Sequence, residues 1–172
     1  NLKGKTALIT GATKGLGRGA AIAIAEAGGN IIAIGRNQSE LNSLSKEVKK
    51  FKINYSAFNC DVNNYNRMKL FISKLKKLDI LVNNAGTNIP EPFLNVKKSS
   101  IETLLNVNTK ATFNVAQLCA NQIIKLKRKS ASIINVSSIF GLVAGQKRTV
   151  YSMTKFGVEG LTKGMALDLA KY

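Results

Sequence analysis

Two side chains in the last part of the sequence have the types and spacing that proton transfer requires. Tyr151 and Lys155 are four positions apart in a segment with a helical pattern, so both side chains lie on one face of the predicted helix. A phenol titrates near pH ~10, and a lysine cation close by favours the ionised form. The pair therefore predicts Tyr151 as a general acid/base and Lys155 as its electrostatic partner.

Two more polar side chains lie where such a reaction would use them. Ser138 follows an apolar, strand-like run, and its hydroxyl could donate a hydrogen bond to a substrate oxygen that gains negative charge. The adjacent Ser137 is the competing residue, but the spacing to Tyr151 favours Ser138. Asn108 interrupts an apolar helical segment, where asparagine has a poor propensity. A satisfied core amide is the alternative interpretation of Asn108.

A glycine-rich turn near the start of the chain predicts a phosphate-binding site. Gly11, Gly15 and Gly17 have the spacing G-x-x-x-G-x-G between a predicted strand and a predicted helix. Without a β-carbon, the backbone turns tightly and its N–H groups can approach a pyrophosphate. The partial positive charge of the helix N-terminus favours the same ligand. A glycine-rich turn that binds nothing is the alternative.

Short apolar runs alternate with longer helical stretches, and these elements must position the polar residues. The predicted strands are 6–10, 30–34, 55–59, 80–83 and 132–136. The predicted helices are 16–27, 38–50, 64–76, 101–124 and 151–170, and Ser99 with Glu102 has the capping-box spacing at the start of the fourth. Continuous Ile, Val and Leu runs indicate parallel strands buried on both faces. We therefore expect one domain over 1–172, an α/β, Rossmann-like doubly wound parallel sheet between two helical layers, with the first strand central.

Taken together, these motifs resemble the short-chain dehydrogenase/reductase family. The resemblance rests on the glycine-rich turn, on Asn83-Asn84-Ala85-Gly86 after the fourth strand, and on Asn108, Ser138 and the Tyr151/Lys155 pair, which follow in the family's order. It implies an NAD(P)(H)-dependent oxidoreductase that interconverts a carbonyl and a secondary alcohol. It also implies a further helix and two strands, so we expect the C-terminal part of the fold to be missing from this chain.

The resemblance assigns roles to individual residues. The catalytic set it implies is Asn108, Ser138, Tyr151 and Lys155, where Asn108 bends its helix and holds a water in a proton relay, and Lys155 also bonds the nicotinamide ribose. Asp61 is placed at the adenine amine, with a helix N-cap as the alternative. The full set of expected cofactor contacts is Gly11, Thr13, Lys14, Gly15, Leu16, Gly17, Arg36, Asp61, Val62, Asn83, Ala85, Gly86, Tyr151 and Lys155.

The end of the second predicted strand bears on the choice of cofactor. NAD-specific dinucleotide folds usually carry an acid there, which bonds the ribose 2′-hydroxyl. This chain has Ile34-Gly35-Arg36-Asn37 instead, and Arg36 could clamp a 2′-phosphate, with Lys14 as a second cation. We therefore expect NADP(H) in preference to NAD(H). A surface arginine and a solvated turn lysine are the alternatives.

The substrate is less constrained by the sequence. The expected substrate contacts are Ser138, Gln146, Arg148 and Tyr151, in a rather polar pocket formed by 87–93 and 142–148. The chain looks most like sugar or polyol dehydrogenases, and a 3-oxoacyl-carrier-protein reductase is the main alternative, because its acidic carrier would suit a basic surface. Outside this class stands a cofactor-sensing regulator without catalysis, against which the intact catalytic set argues.

Composition excludes other classes. The 172 residues include 26 basic and 9 acidic ones, a net charge of +17, but the lysines are scattered and the longest basic run is Lys127-Arg128-Lys129. This distribution indicates solvated helix faces rather than nucleic-acid binding. The chain has no histidine and two separated cysteines, so we expect no metal site and reduced thiols in a cytoplasmic protein.

Two further expectations concern the membrane and assembly. No apolar run approaches the ~20 residues that a membrane span needs. The segments from Ile101 and from Tyr151 carry apolar residues on more than one face, so they need burial on both sides. With the family resemblance, this pattern predicts a homodimer or homotetramer that packs through these two helices.

Overall fold

A parallel sheet forms the centre of the computed structural model, which describes residues 1–128 and 130–172. Lys129, the last residue of the basic run, lies outside the described residues. The sheet has five strands in the order β3-β2-β1-β4-β5. They are β1 (Thr6–Thr10), β2 (Asn30–Gly35), β3 (Tyr55–Asn59), β4 (Ile80–Asn83) and β5 (Ser132–Asn135). The predicted central position of β1, between β2 and β4, is confirmed.

Six α-helices accompany the sheet in the described part of the chain. They are α1 (Gly15–Glu26), α2 (Gln38–Val48), α3 (Tyr65–Ser73), α4 (Lys98–Leu104), α5 (Thr112–Lys125) and α6 (Thr149–Leu169). A π-helical segment, Leu105–Ala111, joins α4 to α5, so the single helix predicted over 101–124 is interrupted in its middle. None of the described helices has the length and hydropathy to cross a membrane.

Two apolar clusters lie on opposite faces of the sheet. In β1, Leu8 belongs to one cluster, together with residues of α3 and α5, and Ile9 belongs to the other, together with residues of α1 and α2. This alternation follows from the two-residue period of a strand, which sends successive side chains to opposite faces. The expected arrangement of a sheet between two helical layers is therefore confirmed.

The two edge strands differ from the expectation that all strands are buried on both faces. β1 is buried throughout, whereas β3 exposes Ser56, Ala57 and Asn59, and β5 exposes Ser132 and Ile134. Each edge strand has one hydrogen-bonded neighbour, and the helices cover it incompletely. Apolar content alone did not separate edge strands from central ones.

The capping box predicted at Ser99 and Glu102 is wrong. The helix α4 begins at Lys98, and Ser99 lies inside its first turn. The carboxylate of Glu91 instead accepts a hydrogen bond from the backbone N–H of Lys97, at 3.2 Å. Because Ser99 is the second residue of the helix, its hydroxyl is not at the N-cap position, which Lys97 occupies without a side-chain cap.

An ion pair at the amino-terminal edge of the sheet corrects a second expectation. Arg128 was expected on a solvated face, but its guanidinium binds Asp79 through Nε, at 2.8 Å, and through Nη2. The Asp79 side chain is only 1% exposed and also accepts the backbone N–H of Thr6 at 2.8 Å. One carboxylate thus connects the starts of β1 and β4 with the end of α5.

This pairing gives a prediction about stability. Replacing Asp79 with Ala leaves the Thr6 N–H and the Arg128 guanidinium without their acceptor, so we expect the free energy of unfolding to fall by about 3 kcal/mol. Urea denaturation measures it. The exposed Asp168→Ala in α6 is the control and should change stability by less than about 0.5 kcal/mol. Equal effects of the two substitutions would contradict a structural role for the pair.

Candidate active site

The hydroxyl of Thr10 fixes the loop that follows β4. Thr10 ends β1 and is fully buried. Its Oγ1 accepts the backbone N–H groups of Asn84 and Ala85, each at 3.0 Å, and donates to Asn83 Oδ1 at 3.4 Å. No sequence motif pointed to Thr10, although a polar residue at the end of a buried strand is a weak signal. The loop is therefore held against the end of the central strand.

Asn84 connects this loop to the glycine-rich turn. Its Nδ2 donates to the carbonyls of Thr10 and Gly11, at 3.1 and 3.3 Å. A β-carbon at Gly17 would overlap both the Gly11 carbonyl oxygen and Asn84 Nδ2. Gly11 and Gly15 have φ angles of +62° and +51°, which favour glycine. The turn thus requires its glycines, and Asn84 is a positioning residue that the sequence motifs did not single out.

The turn leaves room and donors for an anionic group. A β-carbon at Gly15 would meet no atom within 4 Å, so the space in front of the start of α1 is open. The Lys14 side chain does not cap α1, and the first turn of α1 carries no acidic residue. The adjacent Leu16 side chain is exposed. Uncapped N–H groups at a helix N-terminus with open space before them fit the pyrophosphate of a dinucleotide.

Asn83 serves the scaffold with its side chain. Asn83 is buried, and its Nδ2 donates to the Thr112 carbonyl at 2.7 Å and to Asn135 Oδ1 at 3.2 Å. These bonds join β4 to α5 and β5, and they engage the amide that was expected to contact a cofactor. Val62, another expected cofactor contact, packs against the apolar core, so part of its side chain is buried within the protein.

Two cations lie near the end of β2, and each faces a carboxylate. Lys14 Nζ is 2.8 Å from Glu40 Oε1, and Arg36 Nη1 is 3.8 Å from Asp61 Oδ2. The side chains of Lys14 and Arg36 are 79% and 80% exposed, so both can reach a ligand. The hydrogen bond from Lys14 holds the pKa of the Glu40 carboxyl below its usual value. The sequence motifs predicted the cations but not their acidic partners.

Asp61 belongs to a turn rather than to a helix N-terminus. Its Oδ1 accepts the backbone N–H of Asn63 at 2.9 Å, whereas Asn64 caps α3 by accepting the N–H of Arg67 at 3.1 Å. The N-cap alternative for Asp61 is therefore wrong. The remaining oxygen of its carboxylate faces Arg36 at the edge of the crevice.

Lys155 and Tyr151 come together on one face of α6. Lys155 is 5% exposed, and its ammonium donates to the Val136 carbonyl at 2.8 Å. Its Nζ lies 5.8 Å from the centroid of the Tyr151 ring, and Phe140 packs edge-on against the same ring. Burial lowers the pKa of the Lys155 ammonium. A half-buried phenol thus lies beside a cation that has little water around it.

Asn108 lies in the π-helical segment and holds the neighbouring elements together. Its Oδ1 accepts the Thr87 N–H at 2.8 Å, and its Nδ2 donates to the Thr87 carbonyl at 2.9 Å and to Thr154 Oγ1 at 3.1 Å. A β-carbon at Gly86 would lie 3.3 Å from Asn108 Oδ1 and 3.8 Å from Lys155 Nζ. This π-helical segment lies where the family resemblance implied a bend, and the bend stays a prediction. The amide is also satisfied within the protein, and the water relay stays a prediction.

The two adjacent serines have different surroundings. The Ser137 hydroxyl donates to the Lys155 carbonyl at 3.4 Å and packs against the buried Gly141. The Ser138 hydroxyl accepts the Phe140 N–H at 3.2 Å, and its own proton has no acceptor among the described residues. Ser137 therefore ties the loop to α6, and Ser138 keeps a donor for a substrate oxygen.

Two loops approach each other over this site. The Glu91 N–H bonds the Lys147 carbonyl at 3.1 Å, which joins the segment after β4 to the segment before α6. Gln146 is exposed, and Arg148 is the N-cap residue of α6. These loops were expected to be rather polar, but they also expose large apolar side chains, namely Phe93, Leu94, Ile139, Leu142 and Val143.

Comparisons with known proteins agree with this geometry. The family model described as short chain dehydrogenase matches residues 5–172. The 3-oxoacyl-acyl-carrier-protein reductase FabG of Thermotoga maritima is 34% identical over 173 residues, which cover 98% of this chain and 70% of that protein. The L-xylulose reductase of Mesocricetus auratus is 34% identical over 171 residues, which cover 99% of this chain and 68% of that protein.

A solved structure supports the same assignment. The crystal structure of an NAD⁺-bound xylitol dehydrogenase is 26% identical and superposes with a TM-score of 0.95, over 100% of this chain and 67% of that one. The sheet order, the glycine-rich turn and the Tyr151/Lys155 pair are thus found in a chain whose sequence and backbone match the same group of enzymes. The chain belongs to the short-chain dehydrogenase/reductase family of NAD(P)-dependent oxidoreductases.

Proposed function

We propose that this chain interconverts a carbonyl and a secondary alcohol, with Tyr151 as the general acid/base. The observation that carries the proposal is the position of Lys155, whose buried ammonium lies 5.8 Å from the centre of the Tyr151 ring. A cation in a poorly solvated site stabilises the phenolate more strongly than the same cation in water. Tyr151 can then give a proton to a carbonyl oxygen or take one from an alcohol.

The other residues of the site orient and stabilise. When bound, the nicotinamide accepts or supplies the hydride. Ser138 donates a hydrogen bond to the substrate oxygen as charge develops there. The Val136 carbonyl holds the Lys155 ammonium in place. Asn108 is hydrogen-bonded to Thr87 and Thr154, so it holds these two residues in position. The intact set supports an active enzyme rather than a cofactor-sensing regulator.

For the substrate, we propose a sugar, a polyol or another small polar carbonyl compound. Gln146 and Arg148 support it, since they lie on the loop that precedes α6 and offer polar groups. The matches to an L-xylulose reductase and a xylitol dehydrogenase support it as well. A substrate screen that follows the absorbance of the reduced nicotinamide tests this proposal.

A 3-oxoacyl-carrier-protein reductase is the second candidate. The match to FabG of Thermotoga maritima favours it, and so do the exposed side chains of Phe93, Leu94 and Leu142, which offer apolar surface beside the site. Turnover of a 3-oxoacyl thioester that exceeds turnover of pentuloses in the same screen would select this candidate.

For the cofactor, we propose a preference for NADP(H) over NAD(H). No acid ends β2, and the exposed guanidinium of Arg36 follows it directly. Arginine binds phosphate through two parallel hydrogen bonds, which suits the 2′-phosphate. The cation at Lys14 lies in the turn that packs over the same strand end through Thr13 and Gly35.

The first prediction from this proposal concerns Tyr151. Tyr151→Phe keeps the ring and its packing against Phe140 but removes the acid/base, so turnover should fall by ~10²–10⁴-fold with little change in cofactor affinity. Lys155→Met is the comparison variant: it removes the ammonium, so turnover and cofactor affinity should fall together. Steady-state kinetics and cofactor titrations measure both. Near-normal turnover of Tyr151→Phe at every pH would refute the mechanism.

The second prediction concerns Arg36. Arg36→Asp replaces a phosphate partner with a repelling charge, so we expect NADP(H) affinity to fall by roughly 10- to 150-fold and NAD(H) affinity to change much less. Lys46→Asp, an equal change of charge at an exposed site further along α2, is the control. An unchanged ratio of the two affinities would show that Arg36 does not read the phosphate.

We also propose that the chain assembles through α4–α5 and α6 as a homodimer or homotetramer. Apolar side chains are exposed on these helices, namely Leu105, Phe113, Met153 and Phe156. Sedimentation of the full-length protein at micromolar concentration should show the assembly, and Phe113→Glu together with Phe156→Glu should shift it towards monomer. A monomer before substitution would contradict this prediction.

A further inference from the structure

Glu40 occupies a place in the crevice that the proposed function does not use. It lies in the first turn of α2, where its N–H bonds the capping side chain of Asn37 at 3.2 Å. Its side chain is 26% exposed, and Oε1 lies 2.8 Å from Lys14 Nζ. The carboxylate thus holds the cation that the glycine-rich turn offers to the ribose end of the cofactor.

Two cations and two carboxylates form ion pairs near the end of β2. Lys14 and Arg36 carry two positive charges near the end of β2, and Glu40 and Asp61 place two negative charges on them. We call these four residues the β2 charge cluster. A ligand that carries a phosphate meets this balanced cluster rather than two unpaired cations.

The exposure of the Lys14–Glu40 pair decides how it responds to a ligand. The Lys14 side chain is 79% exposed, and an ion pair with one partner open to water contributes little free energy, so Lys14 can leave Glu40 for a phosphate. The backbone of Glu40 stays in the first turn of α2, however, because Asn37 caps the helix there, so the carboxylate remains within reach of the turn. A second anion brought to Lys14 therefore meets both a cation and a nearby negative charge.

A ribose hydroxyl places a different demand on the same residues. The hydroxyl is neutral, so it neither needs Lys14 released nor is repelled by Glu40. A carboxylate can also accept a hydrogen bond from it. The Glu40 carboxylate should thus lower the affinity for NADP(H) and not that for NAD(H).

We infer that Glu40 limits the selectivity of this enzyme for NADP(H) by competing with the 2′-phosphate for Lys14. The inference rests on the proposed recognition of the 2′-phosphate by Lys14 and Arg36. Glu40 makes the enzyme less selective than its two cations alone would make it. Glu40 is therefore a specificity-determining residue that lowers the preference for NADP(H), and it lies on α2 rather than at the end of β2.

The test is the equilibrium binding of NADPH and NADH to the full-length protein, measured by calorimetry. Glu40→Gln keeps the shape and removes the charge, so NADPH should bind roughly 2- to 10-fold more tightly while NADH changes less than about twofold. The gain should shrink as salt is raised. Glu26→Gln at the far end of α1 is the control for net charge and should leave both affinities unchanged.

A second variant tests whether Glu40 acts through Lys14. In a Lys14→Met background, the additional Glu40→Gln substitution should improve NADPH binding clearly less than it does in the unaltered chain. A merely structural role of Glu40 would give the same change in both backgrounds and in both dinucleotides.

The outcomes separate this inference from the proposed function. Weaker NADPH binding by Glu40→Gln, or an equal gain for NADPH and NADH, would overturn the inference. The proposed preference would still stand if Arg36→Asp weakens NADPH binding much more than NADH binding. Failure of the unaltered protein to bind either dinucleotide would overturn both.

Discussion

The position of the site depends on the buried hydroxyl of Thr10. It satisfies two backbone N–H groups of the loop after β4, and each would cost about 1–3 kcal/mol if it were buried without an acceptor. The loop that Thr10 holds carries Gly86, which approaches Asn108 and Lys155. The side chain of Asn84 extends the same constraint to the glycine-rich turn. One hydroxyl therefore sets where the glycine-rich turn and the Tyr151/Lys155 pair lie relative to each other.

The charged groups beside Tyr151 and those near the end of β2 have different surroundings. Beside Tyr151, Lys155 is desolvated, and its ammonium bonds the Val136 carbonyl rather than a carboxylate. Its field therefore reaches Tyr151 with little screening. Near the end of β2, Lys14 and Arg36 are exposed and face carboxylates. Each ion pair therefore adds little free energy, and salt weakens its attraction. The first arrangement suits chemistry, and the second suits a choice between ligands.

The sequence was sufficient for features that local signals encode. β2 and β4 follow from runs of Ile, Val and Leu, and the pairing of Tyr151 with Lys155 follows from helical spacing. Sequence patterns assigned no role to Thr10, or to Asn84 within its motif, because their contacts join residues 74 positions apart. Arg128 was misjudged for the same reason, since its partner Asp79 is 49 positions away. The capping box at Ser99 failed because the helix begins before Ser99, with Lys97 at the N-cap position.

The order of strands has a consequence for the synthesis of the protein. β1 pairs with β2, and β2 pairs with β3, across short stretches of chain. This half of the sheet can therefore form during translation. The other edge of β1 stays unpaired until β4 arrives, because Ala7 pairs with Ile80. Such late, non-local pairing slows folding and leaves an open strand edge that is prone to aggregation. The β1–β2–β3 half of the sheet can therefore form before β4, β5 and α6 join it.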